Sequence, residues 1–206
     1  MHLTWWSPVC SDYCNLTLVT VTGTVNRVGY RHTREEILDG ALRAAIDEGL
    51  SQLTFGRLAK RMGISDRIVV YYFPTKPDLI REVVVAMGVQ LQRTLAAAFA
   101  TPARNHVELV ARAWPLLAKP GTDRIFALFF EANGLAAVGR EPYASVVPAL
   151  VEGWIDWAAN LIAETNPHRR TEAETSIAII DGLLLLRLLG GPAAANRAAA
   201  TFIDAR

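Results

Sequence analysis

From Thr33 onward, apolar side chains recur at helical spacing. In "TREEILDGALRAAIDEGLSQL", Ile37, Leu38, Ala41, Leu42, Ala45 and Ile46 fall on one side of a helix. Thr33 reads as its N-cap, Glu35 and Glu36 suit the positive end of the dipole, and Gly49 supplies the stop. A second start stands at Thr54, with "TFGRLAKRM" running to Gly63, and Ser65 opens a third helix that ends near Phe73-Pro74. A fourth begins in "TKPDLIREVVVAMGVQLQRTLAAAFA", where Pro77 sits in the first turn and its missing N–H is harmless. Further helical runs follow Thr101-Pro102. One covers about 105–118. "TDRIFALFFEANG" is capped by Thr122 or Asp123 and stopped by Gly134. A long run from about Pro142 to Glu164 carries a candidate break at Pro148. "RRTEAETSIAIIDGLLLLRLLGG" and "PAAANRAAATFIDA" complete the set. No alternating strand pattern of useful length appears after residue 30, and there is no internal repeat. The pattern predicts an all-α chain of about nine helices: a small helix-turn-helix domain over 31–80 and a larger helical domain over 81–206. Residues 1–30 show no helical period and read as a disordered or irregular extension, set aside from the fold.

The second and third helices carry the most specific spacing. Ala59, Gly63 and Val69 are what two helices crossing steeply over a tight turn require. The contact point needs a small side chain, the turn needs a backbone at positive φ, and the second helix needs a β-branched residue aimed back at the first. Leu58, Met62, Ile64 and Tyr72 fill the other inward positions. An ordinary helical hairpin is the other structure this spacing allows. The outward face favours the DNA-binding version. With the inward set buried, the third helix turns Asp66, Arg67, Ile68, Val70 and Tyr71 outward, and Ser65 caps its start. Arg67 has the geometry to read a guanine edge or clamp a phosphate, with an internal salt bridge as its structural alternative. Tyr71 suits a backbone phosphate, Ile68 a thymine methyl, and Lys76 a phosphate just beyond the helix. Thr54 and Arg57 stand where they would grip the same strand.

Composition adds little to this and excludes several classes. The chain has 206 residues, 51% of them hydrophobic, which is enough for a sizeable core. Net charge is +1, but Arg27 to Arg81 holds ten Lys/Arg against seven Asp/Glu, a local surplus of three that suits a polyanion partner. The two cysteines, Cys10 and Cys14, make no disulfide framework, and His2 is the only histidine near them. The apolar run "IAIIDGLLLLRLLGG" is interrupted by Asp181 and Arg187, so it reads as a buried helix of a cytoplasmic protein with no membrane span. His2, His32, His106 and His168 are scattered, and no nucleophile elbow, phosphate-cradling loop or metal-spaced motif is present. Neither an enzyme nor a cofactor is expected.

"TREEILDGALRAAIDEGLSQLTFGRLAKRMGISDRIVVYYFPTKPDLI" resembles the DNA-binding domain of TetR-family transcriptional regulators over residues 33 to 80. The resemblance rests on the first helix ending in Gly49, then Thr54, Ala59, Gly63-Ile64-Ser65, Tyr71-Tyr72-Phe73 and Lys76. It implies a homodimer that binds a palindromic operator, usually a repressor released by a small ligand. By position it puts Ser65, Asp66, Arg67, Ile68, Tyr71 and Lys76 in the recognition region and Thr54 at a hydroxyl that contacts phosphate. Val70 stands where many members have the first tyrosine of a pair, Tyr72 where histidine is common, and Arg67 where glycine is frequent. A helical protein-interaction module, or a DNA-binding protein without an effector, are the competing readings.

A dimer needs a face. In "SIAIIDGLLLLRLLGG" Ile177, Ile180, Leu184 and Leu188 form one stripe and Ile179, Leu183 and Leu186 another, as on a helix buried on both sides. With Phe202 and the small residues of the last helix, the first stripe is the expected interface; a plain monomer core is the alternative. Aromatic residues between the ends of the chain suggest an apolar effector pocket. It would draw on Trp114, Phe126, Phe129, Phe130, Trp154 and Trp157, with Asn133 among its polar groups.

Overall fold

The computed structural model describes residues 32–205. The expectations for residues 1–30, with Cys10, Cys14 and His2, lie outside them. Nine α-helices follow one another in the described part: α1 (Arg34–Glu48), α2 (Phe55–Met62), α3 (Asp66–Tyr72), α4 (Lys76–Ala96), α5 (His106–Leu117), α6 (Asp123–Ala137), α7 (Tyr143–Asn160), α8 (Arg169–Gly190) and α9 (Pro192–Asp204). One 3₁₀ turn, Ala97–Phe99, extends α4. The described residues form no strand, only an isolated parallel bridge between Ala103 and Ile162.

The local chemistry explains most of the boundaries. Gly49 takes φ 93°, which ends α1 where the sequence places the stop. Thr75 both accepts from the Asp78 N–H at 3.2 Å and donates its hydroxyl to Asp78 Oδ2 at 2.6 Å, which fastens the first turn of α4. Asn105 caps α5 by accepting from the Glu108 N–H at 3.0 Å.

Three expectations need correction. Gly134 does not stop α6; the helix continues to Ala137. Gly139 is the glycine in the left-handed region, at φ 72°, and Arg140 N–H reaches back to the Leu135 carbonyl at 3.0 Å. Thr122 does not cap α6 with its side chain. Its hydroxyl donates to the Leu117 carbonyl at 2.7 Å and so closes the turn behind it. The helix from Pro142 is unbroken at Pro148 and ends at Asn160, short of Glu164. Beyond that point the backbone is taken by the bridge: Ala103 N–H donates to Leu161 and Ala163 N–H donates to Ala103, at 2.7 and 2.8 Å.

A continuous apolar core joins the helices, from Ile37, Leu58, Val69 and Phe73 through Val83 and Met87 to Val110, Phe126 and Leu184. The expected boundary at residue 80 falls inside α4, which carries the chain from the small helices into the larger bundle. At Gly88, α4 and α7 come so close that a Cβ there would lie 2.6 Å from Leu150 Cδ1 and 3.4 Å from Trp154 Nε1. No described helix is long and apolar enough to cross a membrane.

Candidate nucleic-acid interface and internal cavity

The turn between α2 and α3 is built as its residue types require. Gly63 adopts φ 67°, and its N–H reaches the Lys60 carbonyl at 3.3 Å. The next N–H, of Ile64, reaches Ala59 at 3.0 Å. These paired bonds satisfy the last carbonyls of α2 and reverse the chain within two residues. Leu58, Ala59 and Val69 are buried between the helices, while Met62, Ile64 and Tyr72 are half-buried around them. Phe73 closes the unit, 1% exposed, with the Arg34 guanidinium 5.0 Å above its ring. Arg34 also donates to Glu82 at 2.6 Å, which ties the start of α1 to α4.

This arrangement leaves one face of α3 outward. Asp66, Arg67, Val70 and Tyr71 are exposed, Tyr71 by 65%, and Tyr71 meets Tyr72 edge to face at 4.9 Å. Ile68 differs from expectation: it is half-buried and packs against the core, so only part of its side chain is available. Ser65 stands at the cap position of α3, but its side chain makes no cap hydrogen bond. Thr54 does cap α2, accepting from the Arg57 N–H at 3.3 Å, and stays exposed. The Arg57 guanidinium is bonded to Gln52. Lys76 is exposed at the start of α4.

Arg61 and Arg67 belong to the same basic stretch but are used differently. Arg61 is held by Asp47 and by Glu48, the latter at 3.1 Å. Its hydrogen bond to Asp47 holds that carboxyl below the usual carboxylate range. Among the described residues, Arg67 enters no hydrogen bond or ion pair. The internal salt bridge that was its structural alternative is therefore not formed there.

The larger bundle encloses a cavity of about 70 Å³. Phe126, Phe129, Trp154 and Trp157 are among the residues that line it. The two tryptophans pack edge to face, ring centres 5.4 Å apart. Trp114, Phe130 and Asn133 are not in its wall. Trp114 is buried and donates its ring N–H to Asn196 Oδ1 at 3.1 Å, a tie from α5 to α9. Phe130 packs beside Phe129. The Asn133 side-chain oxygen is buried without a hydrogen-bond partner.

Ile177, Ile180 and Leu184 also line this cavity, so the stripe assigned from sequence to a partner subunit points largely into its own bundle. Leu188 and Phe202 are half-buried against the core. The outward apolar side of α8 is instead formed by Leu185, Leu186 and Leu189, which are 43%, 38% and 80% exposed. The stripe is rotated because Arg187, 6% exposed, turns inward to Asp123, donating at 2.5 and 3.2 Å. Sequence reasoning used Asp181 and Arg187 only as interruptions of an apolar run. Asp181 lies in the cavity wall, and burial pushes its carboxyl up to about 6.

Glu131 is the other residue whose use was missed. It directly follows Phe129 and Phe130 in the sequence. In the structure it accepts the N–H groups of Leu50 and Ser51, in the connection between α1 and α2. Arg124, also on α6, pairs with Asp47 at 3.1 Å.

The comparisons agree with this geometry. Residues 37–83 match the family described as bacterial regulatory proteins, tetR family. No protein with a curated description matches the sequence. Among solved structures, a transcriptional regulator from Rhodococcus sp. Rha1 has 18% identity and a TM-score of 0.67, covering 84% of this chain and 94% of that one. A putative transcriptional regulator from Saccharomonospora viridis in complex with choline has 20% identity and a TM-score of 0.66, covering 83% and 95%. A TetR transcription regulator from Haloarcula marismortui has 21% identity and a TM-score of 0.64, covering 84% and 96%. At these identities the solved structures speak to the fold alone, and the match over 37–83 marks that stretch as resembling the helix-turn-helix domain of the tetR family of bacterial regulatory proteins.

Proposed function

We propose that the chain is a cytoplasmic repressor of transcription that binds a palindromic operator as a homodimer and is released by a small organic ligand. The observation that carries this reading is the outward face of α3. Val69 is fully buried, while Asp66, Arg67 and Tyr71 are exposed, and Arg67 has no ion partner among the described residues. A guanidinium left unpaired beside an exposed phenol suits a groove edge and its phosphates. Ser65, Thr54, Arg57 and Lys76 then supply backbone contacts on either side, and Ile68 offers what remains exposed of its side chain.

A single α3 spans too few base pairs to be selective, so two copies about one helical turn apart are required. The outward leucines of α8 are the surface we assign to that pairing. Effector release draws support from the cavity and from α6. Phe126 and Phe129 of α6 touch the cavity, while Glu131 of the same helix holds the connection below α1. A ligand that binds better to one placement of α6 would bias the spacing of the heads; equal affinity for both placements would do nothing. The choline in the S. viridis regulator supports an organic ligand for this chain too.

The test is a genomic footprint with the purified protein, followed by a salt titration on the recovered site. The reading predicts a two-fold symmetric site whose affinity falls steeply with salt as counterions are displaced. A protein-interaction module would leave no footprint and show a weak salt dependence.

A further inference from the structure

The cavity wall is almost wholly hydrocarbon and aromatic. Leucines from α4 and α5, phenylalanines from α6, tryptophans from α7 and isoleucines from α8 supply it. Asp181 is the one ionisable residue among them. It sits on α8 between Ile177, Ile180 and Leu184, and it enters no hydrogen bond or ion pair among the described residues. A carboxylate turned into an apolar wall without a partner is costly. Arginines of this bundle form ion pairs elsewhere, such as Arg187 with Asp123 and Arg170 with Glu152, yet no described cation reaches Asp181. None of the described residues supplies its counter-charge, which leaves that role open to a ligand.

We infer that the cavity takes a small organic monocation, an amine or quaternary ammonium on an apolar body, with Asp181 as its counter-ion. The aromatic wall fits the same ligand. Trp154 and Trp157 both line the cavity, and an aromatic ring attracts a cation through its quadrupole, more strongly where water is excluded. An anion would meet Asp181 at low dielectric and be repelled. A neutral hydrocarbon would fill the space but leave the carboxylate unpaired. The volume, about 70 Å³, limits the body to a short alkyl group, since a cavity that takes a benzene ring is about twice that size. The inference rests on the ligand-responsive reading above and names the chemistry of that ligand.

The test uses three probes of similar size: n-propylamine, which is cationic at neutral pH, the neutral 1-propanol, and the anion propionate. Calorimetry on the full chain without DNA should show the amine binding about tenfold or more tighter than the alcohol, with propionate weakest. Asp181→Asn keeps the shape and removes the charge. It should bring the amine down to the affinity of the alcohol while leaving the alcohol's own affinity within about twofold. Asn at this site removes an unpaired buried charge, so the variant is expected to fold, and its thermal melt checks that. The inference is overturned if the alcohol binds wild type as well as the amine does, if Asp181→Asn leaves amine affinity unchanged, or if the amine does not bind. Operator affinity with and without bound amine is measured separately. Tight, charge-dependent binding with no effect on the operator would uphold the ligand class and remove the release reading instead.

Discussion

Glu131 and Leu50 are 81 positions apart and directly bonded: Glu131 Oε2 accepts the Leu50 N–H at 2.9 Å. Its other oxygen accepts the Ser51 N–H at 3.0 Å. Both carboxylate oxygens of an α6 residue are therefore spent on the backbone that links α1 to α2. Gly49 makes room for this, since a Cβ at that position would lie 3.1 Å from Glu131 Oε2. The clamp joins the helix that carries Phe126 and Phe129 to the base of the helix-turn-helix.

Glu131→Ala should therefore loosen that joint without touching the cavity wall, of which Glu131 is not a part. Two backbone donors lose a charged acceptor, at a cost of about 1–3 kcal/mol. We expect a lower melting temperature, unchanged ligand affinity in the absence of DNA, and a smaller change in operator affinity when ligand is added. Full ligand release in a folded Glu131→Ala protein would show that α6 transmits nothing through this bond.

Arg67 and Lys76 should separate by the kind of affinity they supply. Arg67→Ala is expected to weaken operator binding by about 1–3 kcal/mol and to relax base preference at one position of each half-site. Lys76→Ala should lower affinity for operator and random DNA alike. It should also reduce the slope of log affinity against log salt by about one for every phosphate that the lysine no longer neutralises. Competition binding at several salt concentrations reads both. Unchanged operator affinity in both variants would remove α3 as the reading element.

The helix-turn-helix was legible in the sequence because each of its positions is set by a local demand: small at Ala59, left-handed at Gly63, β-branched at Val69. Those demands act within ten residues and leave a mark in residue type. The bundle was legible only as helices. The direction in which α8 faces depends on Arg187 reaching Asp123, 64 positions away, and an all-round apolar helix carries no stripe to announce it. Trp114 could not be told from Trp154 by composition; its bond to Asn196 on α9 removes it from the cavity wall. Glu131 carried no mark of its role because its partners are backbone N–H groups, which every sequence contains.

The proposed dimer face gives a prediction opposite for neighbouring leucines of α8. Leu189 is 80% exposed and Leu184 is 2% exposed. Leu189→Asp should leave the monomer folded, shift sedimentation toward the monomer, and lower operator affinity steeply with dilution of the protein. Leu184→Ala should instead leave the dimer intact and change ligand affinity. It should also destabilise the fold by about 2–5 kcal/mol, as large-to-small changes in cores do. A Leu189→Asp protein that still sediments as wild type would place the interface elsewhere.

Asp181 gives the pH prediction. Its carboxyl is pushed up to about 6 by burial, above the ordinary value of 3.8 that it recovers on unfolding. A raised acid binds its proton more readily in the folded state. Its contribution to stability is therefore most favourable below the unfolded value and declines as pH rises from about 4 through about 6. Above that window the ionised carboxylate is a constant burden of about 2–3 kcal/mol. Other groups move the opposite way: Glu108 is held down to about 2 by Arg104 and Arg112, so acid removes a favourable pairing there. The comparison that isolates Asp181 is the difference between wild type and Asp181→Asn. The variant should be more stable at pH 7.5, with the gap closing as pH falls through the same window and nearly gone by pH 4. Amine binding should follow the inverse course in wild type, weakening as the carboxylate takes its proton. A stability gap between the two proteins that does not change between pH 4 and pH 7.5 would mean that Asp181 titrates as an ordinary solvent-facing carboxyl, and the cavity would then hold no buried charge for a cation to find.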